Sequence, residues 1–556
     1  MQNKSALAAI ACIIILTTSA MADTPVFPLQ RPAERPLDKI IPDAGVKPDI
    51  KLPPIPEIYD KGVSSHLRIK VRKFEFIGNT VISSEELSTV LQEFNNKIID
   101  AEQLQKIRQL ITQYYIKKGY INSGATIPDQ KIDNGIIHFK IIEGRLSKIN
   151  VSGNSWLNSS YLKSRAHFGN AGPLNVYVLR DQLFMLQQDP RIERLHARLS
   201  PGLRPGESIL DISIEEAQLL NIGLAIDNYS PPSIGEGHGE LVIQHKNLTG
   251  EGDRVDITYT HSRGLDGVST AYEYPLSARD NRLRVAYAQS ESLVVEEPFD
   301  ILKIENRART SSLAYIHPYH KTPNANYDVS LQLEQRESQT FLLDEPFSFS
   351  AASSDGKTRL SIARIIFSWL KRTPQRVVSG RFTLSHGFDS NKATISDIEP
   401  DGKYVSSLGQ IQWVERFAQQ ELVLRGAVQL SDDPLVSMEQ FAIGGARTVR
   451  GYRENFIVGD NGLTTSIEYR FPILSSYPDY GRFQVAWFAD YGRIKNRARE
   501  TPGPEEIYSS GVGLRWTNEK RVRLELYWAE MLKDVVNPDT TLQDDGIHLR
   551  LEMPIY

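Results

Sequence analysis

Cysteine is almost missing from this chain: the 556 residues contain one, Cys12. It lies in an N-terminal stretch that reads as an export signal. Lys4 gives the positive start, Ala6 to Leu16 the apolar run and Ala20-Met21-Ala22 a small-x-small cleavage site. Cleavage is expected after Ala22, so the mature chain would begin at Asp23 with no cysteine. Disulfides, thiolate catalysis and Cys-based zinc sites are excluded together. Also missing, beyond the signal, is any apolar run long enough for a transmembrane helix. With a mean hydropathy of −0.34, a helical inner-membrane transporter is excluded. Nor does one sign of charge dominate: 64 basic against 68 acidic residues argues against a general nucleic-acid binder.

What is present is organised in three blocks after the signal peptide (1–22). Residues 23–67 form a proline-rich linker, with prolines at 25, 28, 32, 36, 42, 48, 53, 54 and 56. Such spacing forbids a continuous helix and favours extended chain. Residues 68–217 then hold an internal repeat. Phe74-Glu75-Phe76-Ile77-Gly78-Asn79-Thr80 opens one copy and Ile149-Asn150-Val151-Ser152-Gly153-Asn154-Ser155 the other. In the first copy, Ser84-Glu85-Glu86-Leu87 starts a helix. Leu104, Ile107, Ile111, Tyr114 and Tyr115 recur at helical spacing up to Gly119, and Ile136–Ile142 reads as a strand. The second copy has helical patterns over Leu157–Ala166 and Arg180–Gln188, then strands Ile192–Leu199 and Ser208–Glu215. Both predict a β-α-α-β-β domain, bounded at 68–145 and 146–217, with a sheet edge left open.

From residue 218 to 556 the period changes to two. Val255-Ile257-Tyr259, Leu283-Val285-Tyr287, Val329-Leu331-Leu333 and Val522-Leu524-Leu526-Trp528 alternate with polar residues such as Asp256, Arg284, Arg523 and Glu525. One apolar and one charged face without helices fits a barrel with lipid outside and water inside, though a soluble sandwich alternates too. The connections decide for the barrel. Short ones (Leu248–Glu251, Thr373–Gln375, Asn518–Lys520) take turns with long polar ones (Glu291–Asn306, Glu337–Gly356, Ser431–Asp460, Arg493–Glu506, Met531–Gln543). The fold expected is an all-β transmembrane barrel of about sixteen antiparallel strands, preceded by two α+β domains.

Enzyme chemistry finds little support. His317-Pro318-Tyr319-His320 falls at an expected turn and has no third metal ligand in view. Gly235-Glu236-Gly237-His238-Gly239 opens no helix, so it is no phosphate cradle. Asp432-Asp433 and Asp544-Asp545 read as hydrated loop charges. No catalytic, cofactor or metal site is expected.

The most informative segment is Gly444-Gly445-Ala446-Arg447-Thr448-Val449-Arg450-Gly451-Tyr452, with glycines that permit a reversing backbone and arginines that a lipid-facing segment would not tolerate. It belongs to a loop, 432–460, inside the lumen. Val449-Arg450-Gly451-Tyr452 resembles the loop signature of the POTRA-barrel outer-membrane assembly superfamily. Phe488-Ala489-Asp490-Tyr491-Gly492, expected on strand thirteen, matches that superfamily's second signature. Tyr115 to Gly119-Tyr120, Ile142-Glu143-Gly144-Arg145 and Leu199 to Pro205-Gly206 are similar to the TpsB type in particular. The chain therefore resembles the two-partner secretion outer-membrane transporters (haemolysin-activator and filamentous-haemagglutinin transporter-like).

The resemblance implies two periplasmic POTRA domains and a pore in the Gram-negative outer membrane. That pore would recognise the N-terminal secretion domain of a cognate β-rich exoprotein (haemolysin, adhesin or contact-dependent toxin) and export it in type Vb secretion. The alternative is a barrel-assembly factor that inserts other outer-membrane proteins. Outer-membrane lipids and, during biogenesis, the barrel-assembly machinery are the other partners expected; nucleic acid is not one. It also implies that Arg450 meets an inward-facing Asp490 on the strand that carries Phe488, with Gly451 at the hairpin turn and Gly492 leaving room against that strand. A guanidinium–carboxylate pair in a water-filled pore has less desolvation to offset than one in a dry core. Many relatives carry an N-terminal plug helix, which the nine prolines make doubtful here. The last strand, Gly546–Tyr556, would face outward through Ile547, Leu549, Leu551, Met553 and Ile555.

Overall fold

The structure, a computed structural model, describes residues 49–51, 68–169, 172–349, 355–397, 400–473, 481–497, 503–535 and 540–556. The expected signal peptide, and the expected linker apart from 49–51, lie outside the described residues. The chain divides between Ala217 and Gln218 into two compact units.

The first unit holds the repeat. Strand Lys73–Ile77, helices Ser84–Val90 and Ala101–Lys117, and strands Gly124–Thr126 and Ile136–Ile142 form one copy. Strands Arg145–Ser152, Ile192–Pro201 and Glu207–Glu216 with helices Ser159–His167 and Val176–Gln187 form the other. The Gly-Asn pairs explain why the two openings look alike. Asn79 Nδ2 donates to the Ile82 carbonyl and the Ser84 hydroxyl, and Asn154 Nδ2 to the Leu157 carbonyl and the Ser159 hydroxyl. The loop that follows hangs on one carboxylate in each copy: Glu143 accepts from the Thr80 and Val81 amides, Glu216 from those of Ser155, Trp156 and Leu157. The long helix begins at a capping box between Asp100 and Gln103. It buries Leu104, Ile107, Ile111 and Tyr115 in one cluster with Phe74, Ile137 and Phe139. Burial and the Glu143 carboxylate push the Tyr115 hydroxyl well above its ordinary pKa.

One element differs from expectation. Within the proline-rich stretch, Asp49–Lys51 is a strand that pairs in parallel with Ile192–Pro201, Ile50 opposite Ala197. These three residues fall between Pro48 and Pro53, so each keeps the backbone N–H that pairing in a sheet requires.

The second unit is a closed barrel of sixteen antiparallel strands, with a two-residue strand, Glu345–Pro346, folded back on the seventh. In order the strands are Leu220–Asp227, His238–His245, Arg254–Ser262, Leu265–Pro275, Arg282–Leu293, Glu305–Thr322, Ala325–Leu342, Lys357–Arg372, Arg376–Gly387, Tyr404–Phe417, Gln420–Ser431, Asn461–Ile473, Arg482–Lys495, Glu506–Thr517, Arg523–Met531 and Ile547–Pro554. Strand sixteen closes on strand one over Gly223–Asp227 and Arg550–Pro554. In the sixteenth strand Leu549 is exposed outward, whereas Arg550 turns to Asp227 and Glu240. The rim at which the chain enters carries turns such as 323–324, 373–375 and 418–419. The opposite rim carries 343–356, 388–403 and 432–460, with one short exception at 263–264.

The histidine pair is placed differently from the sequence reading. His317 to His320 lie within strand six, at a bulge between Pro318 and His320, and the turn is Pro323-Asn324. An irregular strand tolerates a proline that a continuous ladder would not.

Candidate functional site in the barrel lumen

The loop 432–460 joins strands eleven and twelve and has structure of its own. Phe441–Ile443 pairs antiparallel with Ile457–Gly459, making a hairpin inside the barrel unit. Its buried side chains Phe441, Ile443, Val449, Tyr452 and Ile457 cluster with wall residues Leu408, Ile494 and Ile507. The hairpin thus has an apolar core, which anchors it without help from charge.

At the tip, Arg450 makes a forked contact with Asp490: Nε to Oδ2 at 2.8 Å and NH2 to Oδ1 at 2.9 Å. Its backbone amide donates to the same carboxylate at 3.1 Å. NH1 reaches Glu468 at 2.7 Å and NH2 the Ser466 hydroxyl at 3.2 Å. Strand register assembles this pocket. Ser466 pairs with Asp490 and Glu468 with Phe488 across strands twelve and thirteen, so four inward side chains form a square. The guanidinium carbon sits 3.5 Å from the Phe488 ring centroid and 4.9 Å from that of Tyr527, and the two rings meet edge to face. Strand fourteen makes room for both rings by carrying glycine twice. A methyl group at Gly511 would come within 2.6 Å of Phe488, and one at Gly513 within 2.3 Å of Tyr527.

The neighbouring signature residues are placed with equal tightness. Gly451 has φ of +94°, a conformation side chains disfavour, and its amide donates to His548 Nε2 at 3.0 Å. A Cβ at Gly492 would lie 2.8 Å from Val449 Cγ2, so the absence of a side chain there seats the valine. The Tyr452 hydroxyl stands within 3.2 Å of the Tyr508 and Lys533 carbonyls. The expectation of a wet ion pair is corrected. The Arg450 side chain is 4% exposed and that of Asp490 fully buried. Aromatic rings cover the guanidinium, so this pair carries the desolvation cost of a dry site and relies on its hydrogen-bond geometry.

A second ionic cluster was not foreseen. Glu439, also on the loop, receives both oxygens' worth of contact from Arg364 NH2, at 2.8 and 3.0 Å, and a bond from Arg336 NH1 at 3.1 Å. Arg336 and Arg364 stand on strands seven and eight, with Glu334 between them. All four side chains are at most 4% exposed. Further out, Arg453 pairs with Asp544 and Glu296 on two other loops of the long-loop rim. Burial opposes ionisation of Asp544, but the bonds from Arg453, Thr540 and Thr541 bring its pKa down to about 2.

A barrel that carries one long loop back into its lumen, pinned through Val-Arg-Gly-Tyr, is what comparison with known proteins then places. Residues 206–516 match the family described as haemolysin secretion/activation protein ShlB/FhaC/HecB. The chain belongs to that family. Residues 69–144 match the ShlB-type POTRA domain. Among relatives, the outer membrane transporter CdiB of Dickeya dadantii is 22% identical over 85% of each chain. The heme/hemopexin transporter protein HuxB of Haemophilus influenzae is 19% identical over 91% of each. The solved structure of CdiB from Escherichia coli shares the fold, with a TM-score of 0.69 at 19% identity over 90% of this chain and 93% of that one. This haemolysin secretion/activation family member is therefore an outer-membrane transporter of the two-partner secretion type, with its POTRA region in the periplasm.

In the transporter some of the site was within reach of the sequence and some was not. Tyr527 and His548 are aromatic residues on inner faces that also carry Arg523, Glu525, Arg550 and Glu552, a visible anomaly. Glu468 alternates with Ile467 and Tyr469 on strand twelve, so parity alone turns it inward, but nothing in the sequence names Arg450 as its partner. Glu439 gave no signal, because nothing in its neighbourhood sets it apart from other loop carboxylates.

Proposed function

We infer that this transporter exports one large β-rich exoprotein of the haemolysin, adhesin or contact-dependent toxin class, and that the loop 432–460 is the latch of its pore. The observation that carries the reading is the Arg450–Asp490 fork, which ties the loop tip to the wall by breakable bonds rather than by continuous sheet. Export of an unfolded chain needs a cross-section that a seated hairpin occupies. A latch of ionic contacts releases it without unzipping the barrel. No nucleotide-binding motif is present in the sequence, so folding of the exoprotein outside the cell supplies the driving force.

The POTRA domains bind the exoprotein's N-terminal secretion domain as an extended strand on an open sheet edge. Asp49–Lys51 already lies on one such edge, that of Ile192–Pro201. The outer edges of Lys73–Ile77 and Arg145–Ser152 carry no partner strand among the described residues. Deleting the gene tests the function as a whole. The expected result is loss of one long repetitive exported protein from the culture medium while other outer-membrane barrels stay at normal levels. A general fall in those barrels would show an assembly factor instead.

A further inference from the structure

We propose that the outer wall of strands seven to ten, at the rim where the chain enters, is a binding site for an anionic phospholipid of the periplasmic leaflet. A cavity of about 670 Å³ opens there, lined by Tyr327, Phe367, Trp369, Lys371, Arg376 and Trp413 among others. That volume suits a phospholipid headgroup with the upper part of its acyl chains.

Strand alternation fixes which side of the wall this is. On strand eight, Phe367, Trp369 and Lys371 alternate with the inward Ser368 and Leu370, two turns of the pleat below Arg364 of the lumen cluster. On strands nine and ten, Val378 and Trp413 point outward while Ser379 and Gln412 are buried inward. The site therefore faces lipid. It stands beside the turn 373–375, at the rim from which the first strand departs, and the domains joined to that rim are periplasmic.

The shape comes from one large-small pair. Trp369 lies directly opposite Gly380, and its indole folds over the glycine so closely that a Cβ there would lie 1.9 Å from the ring. The collapsed indole leaves a cleft against Trp413, which pairs across strand nine with Val378. Lys371, Val378's other neighbour, stands at the mouth of the cleft.

Charge decides the occupant. Lys371 and Arg376 stand at this mouth on the outward face, with Arg372 at the end of strand eight beside them. Arg376 pairs with Glu415 and stacks 4.8 Å from the Trp413 ring centroid, while Arg372 donates to the Pro323 carbonyl at 3.0 Å. Lys371 is exposed and has no ion-pair partner among the described residues. Glu415 matches Arg376, so on the outward face Lys371 leaves the mouth with one unmatched positive charge. A neutral aromatic belt would suffice to hold zwitterionic lipid; the surplus cation, Lys371, selects a headgroup with net negative charge. The phosphate would lie between Lys371 and Arg376, with an acyl chain running along Phe367 and Trp369.

Purified full-length protein in detergent, titrated with phosphatidylglycerol carrying brominated acyl chains, tests this by quenching of tryptophan fluorescence. Brominated phosphatidylcholine is the matched zwitterionic probe. Saturable quenching is expected with phosphatidylglycerol, half-saturating at a several-fold lower concentration than with phosphatidylcholine. Lys371→Gln should raise the phosphatidylglycerol midpoint by about fivefold, the scale of one basic residue at an anionic surface. Lys371→Arg should keep it, and Trp413→Phe should lower the amplitude. Equal curves for the two lipids overturn the proposal. So does an unchanged midpoint in Lys371→Gln, or an unchanged amplitude in Trp413→Phe. Heat-modifiable gel migration confirms that each variant is a folded barrel before it is scored.

Discussion

Replacing Arg450 by leucine should free the loop tip, and the structure says which group bears the cost. Glu468 keeps Arg470 and Arg425 and the Tyr527 hydroxyl when Arg450 is lost. Asp490 does not: among the described residues its only ion pair is with Arg450. Stranding one partner of a buried pair costs about 3–5 kcal/mol. At tenfold per 1.4 kcal/mol, the docked tip should lose roughly 150- to 4,000-fold in its equilibrium. Neutralising the stranded group with Asp490→Asn in the same chain should recover most of that, giving a coupling of about 2–3 kcal/mol in a double-mutant cycle. The near absence of cysteine supplies the assay. In a Cys12→Ala background, Val449→Cys places a thiol at a site that is 0% exposed, where maleimide reacts only when the tip leaves its seat. Arg450→Leu should speed labelling at least a hundredfold, and Asp490→Asn should slow it again. Labelling no faster in Arg450→Leu than in the parent would refute the latch energetics. So would an Asp490→Asn addition without effect.

The remaining predictions concern export, the second anchor and pH. Asp490→Arg should abolish export; adding Arg450→Asp should restore it only weakly, because an aspartate at 450 faces Glu468, and a further Glu468→Gln should improve the rescue, all read as exoprotein in the medium. Glu439→Gln should leave Arg336 and Arg364 with Glu334 as their sole ionised partner in the cluster and raise single-channel conductance or the frequency of openings in planar bilayers; unchanged traces would deny the cluster a role in seating the loop. The Arg453–Asp544 tie should survive acidification. Asp544 has a folded pKa of about 2, below the ordinary value near 4, so its contribution is fully present above about pH 4 and is lost only as pH falls toward 2. Protease sensitivity of the outer loops should therefore be the same at pH 7 and pH 5, whereas Asp544→Asn should raise it at both.

The fold was legible because its two periods are physical. Alternation of two follows from the pleat, and strands such as Arg523–Met531 print it directly: Leu524, Leu526 and Trp528 to lipid, Glu525 and Tyr527 to the lumen. The Gly-Asn repeat was legible because each asparagine does the same local job. Asp490 was reachable as Arg450's partner because it sits on a strand whose face is set by parity. Glu439 was not, since loop side chains have no parity, and its partners Arg336 and Arg364 lie far away in sequence on the opposite side of the loop's anchor. The strand Asp49–Lys51 escaped for a related reason. Prolines describe what a stretch cannot become, and three residues between them carry too short a pattern to announce a sheet partner. The dryness of the Arg450 site was misjudged because burial there depends on Phe488 and Tyr527 closing over Gly511 and Gly513, contacts made between four strands at once.

The two anchors of the hairpin have opposite sense. At Arg450 the loop is the plug of positive charge and the wall the negative socket; at Glu439 the loop is negative and the wall positive. A hairpin seated backwards, or shifted so that each contact met the other socket, would bring arginine to Arg336 and Arg364 and glutamate to Glu468 and Asp490. Every misplacement of that kind is repelled at both ends. A loop expelled during the passage of a long chain must find its seat again without a template, and this polarity works as a lock-and-ward: only one insertion turns.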